Sequence, residues 1–284
     1  MAVTVPGPPP AEEIRAAVSR ALAEDIGPGD LTAALVPEDT SARASVICRE
    51  QAVLCGAAWF EEVFAQLDGA VSVAWSRRDG DTLSEGDELC RLHGPARALL
   101  SGERVALNFL QTLSGTATVA RRYAEAVAGL PVKILDTRKT LPGLRAMQKY
   151  AVACGGCSNH RHGLYDGILI KENHIHVLGS VGEAVAAARE RYPHMPVEIE
   201  VESLEQLGEA LAASADMVLL DNFSPQMLRQ AVALNGGRTV LEVSGGVTLE
   251  TVREAAATGV DRISIGAITK DVRAVDLSMR LTFD

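Results

Sequence analysis

The sequence predicts an α/β protein built in two parts, and three observations carry that prediction. Between residues 43 and 99 the apolar residues fall in short strand-like runs broken by Gly and Asp turns. After residue 130, six apolar runs alternate with helical stretches, the rhythm of parallel β/α units whose strands are buried on both faces. A long helical segment, 101–128, lies between the two patterns and is expected to join two domains.

Each element has its own justification. The first dozen residues, rich in proline, read as a loose arm. Residues 11–24 place Ile14, Val18 and Leu22 at helical spacing, and EDIGPGDLT then stops that helix. ASVICRE, AVLCG, VSVAWS and ELCRLHG are the strand-like runs of the first part. DGDTLSEGDELCRLHGP is similar to the hairpins of biotinyl and lipoyl carrier domains, but it has no lysine to modify and reads as structural. Segment 101–128 forms one long helix or two around Ser114-Gly115. In the second part, strands begin near Val132, Gly167, Val197, Met217, Val240 and Arg262. Helices are expected over 143–154, 181–191, 204–213, 226–234 and 249–258. Six strands fall short of the eight of a standard barrel, so periodicity leaves a six-stranded barrel and an open doubly wound sheet both open.

Composition narrows the function classes. The chain has 284 residues, 47% hydrophobic, with a net charge of −10. It is too apolar for a disordered chain and has no run of about 18 apolar residues, so no membrane span is expected. The start carries prolines and acids where a signal peptide needs a basic and then an apolar stretch. Five cysteines, an odd count, point to a reducing cytoplasm rather than a disulfide framework. The acidic total argues against nucleic acid as a partner. Yet residues 101–175 hold ten Lys/Arg against five acids, a net +5 that leaves −15 for the rest. All five lysines lie at or after Lys133. A local cation excess in an acidic protein points to a small anionic ligand.

Polar residues then fall at every one of the six strand ends: Asp136-Thr137-Arg138-Lys139, Lys171-Glu172-Asn173-His174, Glu200-Val201-Glu202, Asp221-Asn222, Ser244-Gly245-Gly246 and Gly266-Ala267. In β/α barrels the carboxyl ends of the strands surround one active-site cavity. The last two ends, SGGVT and IGAIT, have the glycines and the following helix that bind phosphate. Glu200 and Asp221 end adjacent strands, and two hard oxygen ligands without Cys or His suit Mg²⁺ held partly through water and phosphate. Along EIEVE, residues 198, 200 and 202 share one face, so spacing alone leaves the inward glutamate open. Arg138, Lys139, His160, Arg161 and Lys171 offer five donors, which would repel one another without a ligand of several negative charges. A substrate with two or more carboxylates, beside a phosphorylated partner, is expected. Cys154-Gly-Gly-Cys157 has no second such pair and reads as a loop, while His93, His176 and His194 read as structural and Trp59 and Trp75 as core.

The stretches DTRKTLPGLRAMQKYAV, GGCSNHRHGLYDGILIKENHI, VEIEVESLEQL, MVLLDNFSP and LEVSGGVTLETV…GVDRISIGAIT closely resemble the quinolinate phosphoribosyltransferase family, from EDIGPGDLT to the end of the chain. The resemblance implies an N-terminal α/β sandwich domain over 1–114, rejoined by the tail 271–284, and an incomplete six-stranded α/β barrel over 115–270. It implies that Arg138, Lys139, His160, Arg161 and Lys171 hold quinolinate, and that Arg104, in GERVALN, is supplied by a neighbouring subunit of a homodimer or larger oligomer. It further implies that Glu200 and Asp221 engage the ribose hydroxyls and Mg²⁺ of phosphoribosyl pyrophosphate, and that Ser244, Gly245, Gly246 and Gly266 take its 5′-phosphate. The reaction so implied gives nicotinate mononucleotide, pyrophosphate and CO₂, with Lys139, Lys171, Glu200 and Asp221 nearest the chemistry. Cys157 stands where many relatives carry a third glycine. Two other enzymes fit parts of the pattern: a phosphoribosyltransferase acting on another anionic base, and a barrel aldolase forming a Schiff base at Lys139 or Lys171.

Overall fold

Strand β1 (Ser41–Cys48) buries Ala42, Ala44, Val46 and Cys48 and turns Ser41 and Arg43 outward, the period-2 alternation of a sheet covered on one face. It pairs antiparallel on one side with β5 (Glu88–Pro95) and on the other with β12 (Leu277–Phe283), so that Val46 faces both Cys90 and Met279. Adding β3 (Ser72–Trp75) beyond β5 gives a four-stranded antiparallel sheet, ordered β12-β1-β5-β3. The computed structural model describes residues 5–283; residues 1–4 of the expected arm lie outside them, and helix α1 (Ala11–Ile26) follows. Helix α2 (Ala57–Leu67) buries Trp59, Phe60, Val63 and Phe64, which recur at helical spacing. Trp59 is core as expected, but Trp75 is half-buried: its ring packs 5.4 Å from Phe60 and its indole N–H donates to Glu61 (2.6 Å).

The expected carrier-like hairpin does not form. β4 (Thr82–Leu83) pairs with β2 (Ala52–Val53) in a small sheet of its own, while β5 joins the four-stranded sheet. The helical segment is one continuous helix, α3 (Ala96–Ala126). Gly115 does not break it. A β-carbon there would stand 2.2 Å from the Arg273 carbonyl oxygen, so this glycine lets the C-terminal tail lie against the helix.

These elements, with helix α4 (Arg145–Cys154), form one compact unit: residues up to 121, 146–156 and from 271 on. The second unit holds 122–145 and 157–270. The two compact units therefore meet at 121/122, inside α3. Most of α4, placed by the sequence in the barrel, groups with the first unit.

The second unit is a parallel sheet of six strands: β6 (Lys133–Leu135), β7 (Ile168–Ile170), β8 (Val197–Val201), β9 (Met217–Asp221), β10 (Val240–Ser244) and β11 (Arg262–Ser264). Their order is β6-β11-β10-β9-β8-β7. Chain order thus runs around a ring, with β11 paired back to β6 and the gap between β6 and β7, which decides for an incomplete barrel over a doubly wound sheet. Helices α6 (Val181–Arg191), α7 (Leu204–Ala212) and α8 (Pro225–Asn235) start where Ser180, Ser203 and Ser224 accept the backbone N–H three residues on. Helix α9 is shorter than expected, Val252–Ala256. Two short helices were not anticipated: α5 (Glu172–Leu178), starting directly after Lys171, and α10 (Ala267–Lys270).

Candidate active site

All six strands of the second unit contribute to one cavity of about 310 Å³ at their carboxyl ends. Thr137, Arg138 and Lys139 reach it from beyond β6, Leu169 and Lys171 from β7 and its end, and Glu200 from β8. Leu219, Ser244 and Ser264 come from β9, β10 and β11, and His160 and Arg161 from the loop that precedes β7. Because β6 and β7 are opposite edges of the sheet and line the same space, the sheet must curl, as a barrel does.

Of the predicted residues, Arg138, Lys139, His160, Arg161, Lys171, Glu200 and Ser244 meet here. Asp221 ends β9 and pairs in register with Ser244. Gly245 and Gly246 follow Ser244 with φ of +94° and +60°. A β-carbon at Gly245 would stand 2.1 Å from Asn222 Oδ1, so side chains are excluded there and the backbone amides stay open. Gly266 packs against Lys139, whose Cδ would be 3.0 Å from an added β-carbon. Arg104 is exposed on α3 in the first unit and is not among the lining residues.

A backbone carbonyl holds Arg161. Arg161 Nη1 donates to the Gly167 carbonyl (2.9 Å). Burial, then the adjacent Arg138 charge, pull the Arg161 guanidinium below its ordinary value. Arg138 Nε is buried without a hydrogen-bond partner among the described residues, a donor suited to an incoming carboxylate. Arg145, which the sequence reading passed over, braces this rim. It donates to the Arg138 carbonyl (3.2 Å), the His162 carbonyl (3.0 Å) and Thr140 Oγ1 (3.1 Å).

Acids complete the arrangement. Lys171 Nζ forms a short ion pair with Glu200 Oε2. Asp221 Oδ2 accepts the Asn222 amide (2.8 Å), and burial raises the Asp221 carboxyl above the usual range against the opposing charge of Lys171. Asn222 itself carries a left-handed backbone, φ +56°, at the turn out of β9. Beneath His160 lie two acids that spacing left undecided or unnoticed, Glu198 and Glu242, 2% and 0% exposed. His160 Nε2 is 3.2 Å from Glu198 Oε2 and 3.3 Å from Glu242 Oε1, and Nδ1 accepts the Arg161 backbone N–H (2.7 Å). Burial opposes an imidazolium, but both carboxylates outweigh it and push His160 up to about 10. Since a proton on Nδ1 would break the Arg161 bond, the extra proton of this trio belongs on its glutamate side.

The period-2 rule would have found the two apolar wall residues, since Leu169 and Leu219 stand two positions before Lys171 and Asp221. The five cysteines are free, buried thiols. Among the described residues, no helix is long and apolar enough to cross a membrane.

Two family models cover the chain: "Quinolinate phosphoribosyl transferase, N-terminal domain" matches residues 30–114, and the corresponding C-terminal domain matches 116–280. A probable nicotinate-nucleotide pyrophosphorylase [carboxylating] of Bacillus subtilis is 46% identical over 260 residues, covering 91% of this chain and 90% of that one. The Mycobacterium leprae nicotinate-nucleotide pyrophosphorylase [carboxylating] is 44% identical over 276 residues, 94% and 96% of the two chains. Among solved structures, the nicotinate-nucleotide pyrophosphorylase from Francisella tularensis superposes with a TM-score of 0.92 at 43% identity, over 96% and 97% of the chains. NadC from Streptococcus pyogenes gives 0.95 at 39% identity, over 98% and 99%.

Proposed function

From the premise that this chain belongs to the quinolinate phosphoribosyltransferase family, we propose that its barrel cavity transfers the phosphoribosyl group of phosphoribosyl pyrophosphate to quinolinate. The product is nicotinate mononucleotide, with release of pyrophosphate and CO₂, in NAD biosynthesis. The observation that carries this reading is the convergence of Arg138, Lys139, Arg161 and Lys171 on one cavity walled by Leu169 and Leu219. Cations facing apolar walls suit a flat aromatic ring bearing two carboxylates.

Each group has a part. Arg138, with its unpartnered Nε, and Arg161 clamp the carboxylates, and Lys139 adds a point charge. Ser244 and the open amides of Gly245, Gly246 and Gly266 take the 5′-phosphate. As pyrophosphate departs, positive charge grows on the ribose, and Glu200 and Asp221 at the ends of adjacent strands favour it. The ring nitrogen forms the new bond to the ribose carbon as the carbon–pyrophosphate bond breaks. The positive ring nitrogen then stabilises the electron pair left on the adjacent carbon when its carboxylate departs as CO₂, and a proton from solvent completes that carbon. No side-chain nucleophile is required; the protein supplies position and charge.

The acids also fit Mg²⁺. Glu200 is engaged by Lys171, whereas Asp221 keeps the more open carboxylate, so a hard cation would be shared between Asp221, Glu200 and substrate oxygens. When bound, Mg²⁺ supplies neutralising charge to the pyrophosphate oxygens. The active unit is a homodimer in which Arg104 of a second copy completes the quinolinate pocket; the exposure of Arg104 on α3 supports this. Five free thiols favour a cytoplasmic setting.

The test is pyrophosphate release from phosphoribosyl pyrophosphate with a panel of pyridine carboxylates. Quinolinate should support turnover and nicotinate should not. A preference for nicotinate, or borohydride trapping of a carbonyl substrate on Lys139 or Lys171, would replace this reading.

A further inference from the structure

The start of the loop that carries Arg161 is tied to the residue after β6. Asp136, fully buried after β6, accepts the Asn159 side-chain amide (2.7 Å) and the His160 backbone N–H (2.8 Å). The His160 ring then enters the barrel interior, where Glu198 of β8 and Glu242 of β10 face Nε2 from strands that flank β9. Its other nitrogen accepts the backbone N–H of Arg161, which fixes where that residue starts. Both ring nitrogens are therefore used within the protein. Glu242 is completely buried, and neither of its oxygens meets a hydrogen-bond donor in good geometry among the described residues. A buried carboxylate so placed is costly unless it shares a proton with a neighbour, and the imidazole Nε2 is 3.3 Å from it.

We infer that Glu242, with Glu198, is a positioning residue: the two carboxylates form a socket for the His160 ring, and through the ring they set the backbone from which Arg161 reaches the substrate carboxylates. The inference rests on the proposed quinolinate site for its kinetic part, but the socket itself is independent of any substrate. The charged groups facing the ring are Glu198 and Glu242; Asp136 meets the His160 backbone, Arg262 acts on Glu198 through its charge, and Arg138 and Arg161 line the same cavity.

Two measurements test it on the full chain. The first is ¹⁵N NMR of the histidine side chains in ligand-free protein at pH 8, with the His160 signals assigned by loss in His160→Asn. The wild type should show a protonated Nε2 and an acceptor Nδ1, and Glu242→Gln should shift or broaden both. The second is kinetic. Glu242→Gln should raise the KM for quinolinate at least tenfold while KM for phosphoribosyl pyrophosphate and kcat stay within threefold. In a His160→Asn background the same substitution should add less than twofold, and Glu242→Asp should recover part of the loss. If Glu242→Gln is too unstable to assay, the wild-type spectrum and Glu242→Asp carry the test. Unchanged His160 resonances in Glu242→Gln, or an equal loss for both substrates, would overturn the inference. So would stoichiometric tightly bound metal in the purified protein, because the three ligand atoms lie within 4.8 Å of one another. No turnover with quinolinate, but a perturbed His160 spectrum, would refute the functional reading and leave the socket standing.

Discussion

Charge at single residues decides what this cavity accepts. Burial and then the charge of Arg138 disfavour the charge of Arg161, an arrangement that a dianion resolves. Arg138→Ala or Arg161→Ala should cost roughly 2–5 kcal/mol of quinolinate binding, by analogy with truncated buried charge pairs, while sparing phosphoribosyl pyrophosphate. Steady-state KM values for the two substrates check this. Gly245→Ala should do the reverse, since its β-carbon would collide with Asn222 Oδ1 at a left-handed φ. The KM for phosphoribosyl pyrophosphate should rise more than that for quinolinate. The His160–Glu198–Glu242 trio holds one extra proton up to about 10, against a free imidazole value near 6.5, so it favours the folded state fully below pH 6.5 and that contribution is lost as pH climbs through 10. Denaturant midpoints of the wild type should therefore fall relative to His160→Asn between pH 7 and pH 10; parallel curves would contradict the assignment.

At the scale of elements, the tail is the clearest case of one segment depending on another. β12 covers an edge of β1 and buries Leu277 and Met279, and its approach runs against Gly115 in the middle of α3. Gly115→Val would drive a side chain into the Arg273 carbonyl, and overpacking of this kind typically costs about 1–3 kcal/mol. The melting temperature should drop by several degrees, with little change in the KM of either substrate in the surviving folded enzyme. Much of this architecture was legible. Apolar runs marked all six barrel strands because parallel strands buried on both faces have little room for polar residues. The chemistry was legible at their ends for the complementary reason: Lys171, Glu200 and Ser244 stand where burial gives way to the cavity. Other features depend on partners that spacing does not encode. EIEVE alternates acids on one face, and only the pairing of Glu198 with His160 shows that the inner acid is buried. Gly115 looks like a breaker until the tail that requires it is in place, and β4 and β5 look like a hairpin until their separate partners appear.

Across the whole molecule, a cationic cavity sits in a protein of net charge −10, so anions are drawn to one place rather than to the surface at large. The strands supply cations early in the chain, acids in the middle and glycine-rich turns last. On the proposed assignment that order would set a dicarboxylate site, a ribose site and a phosphate site side by side at the carboxyl ends of the strands. One cavity, in the proposed reaction, couples phosphoribosyl transfer to decarboxylation, because the positive ring nitrogen made by the first step stabilises the carbanion left by the second. Release of labelled CO₂ from quinolinate carrying the label in its 2-carboxylate measures this directly, with phosphoribosyl pyrophosphate and Mg²⁺ each supplied or withheld. Labelled CO₂ should appear with both present, in step with pyrophosphate, and should fall to background when either is omitted. Release that continues without phosphoribosyl pyrophosphate, or pyrophosphate that forms while the label stays on the ring, would contradict the account.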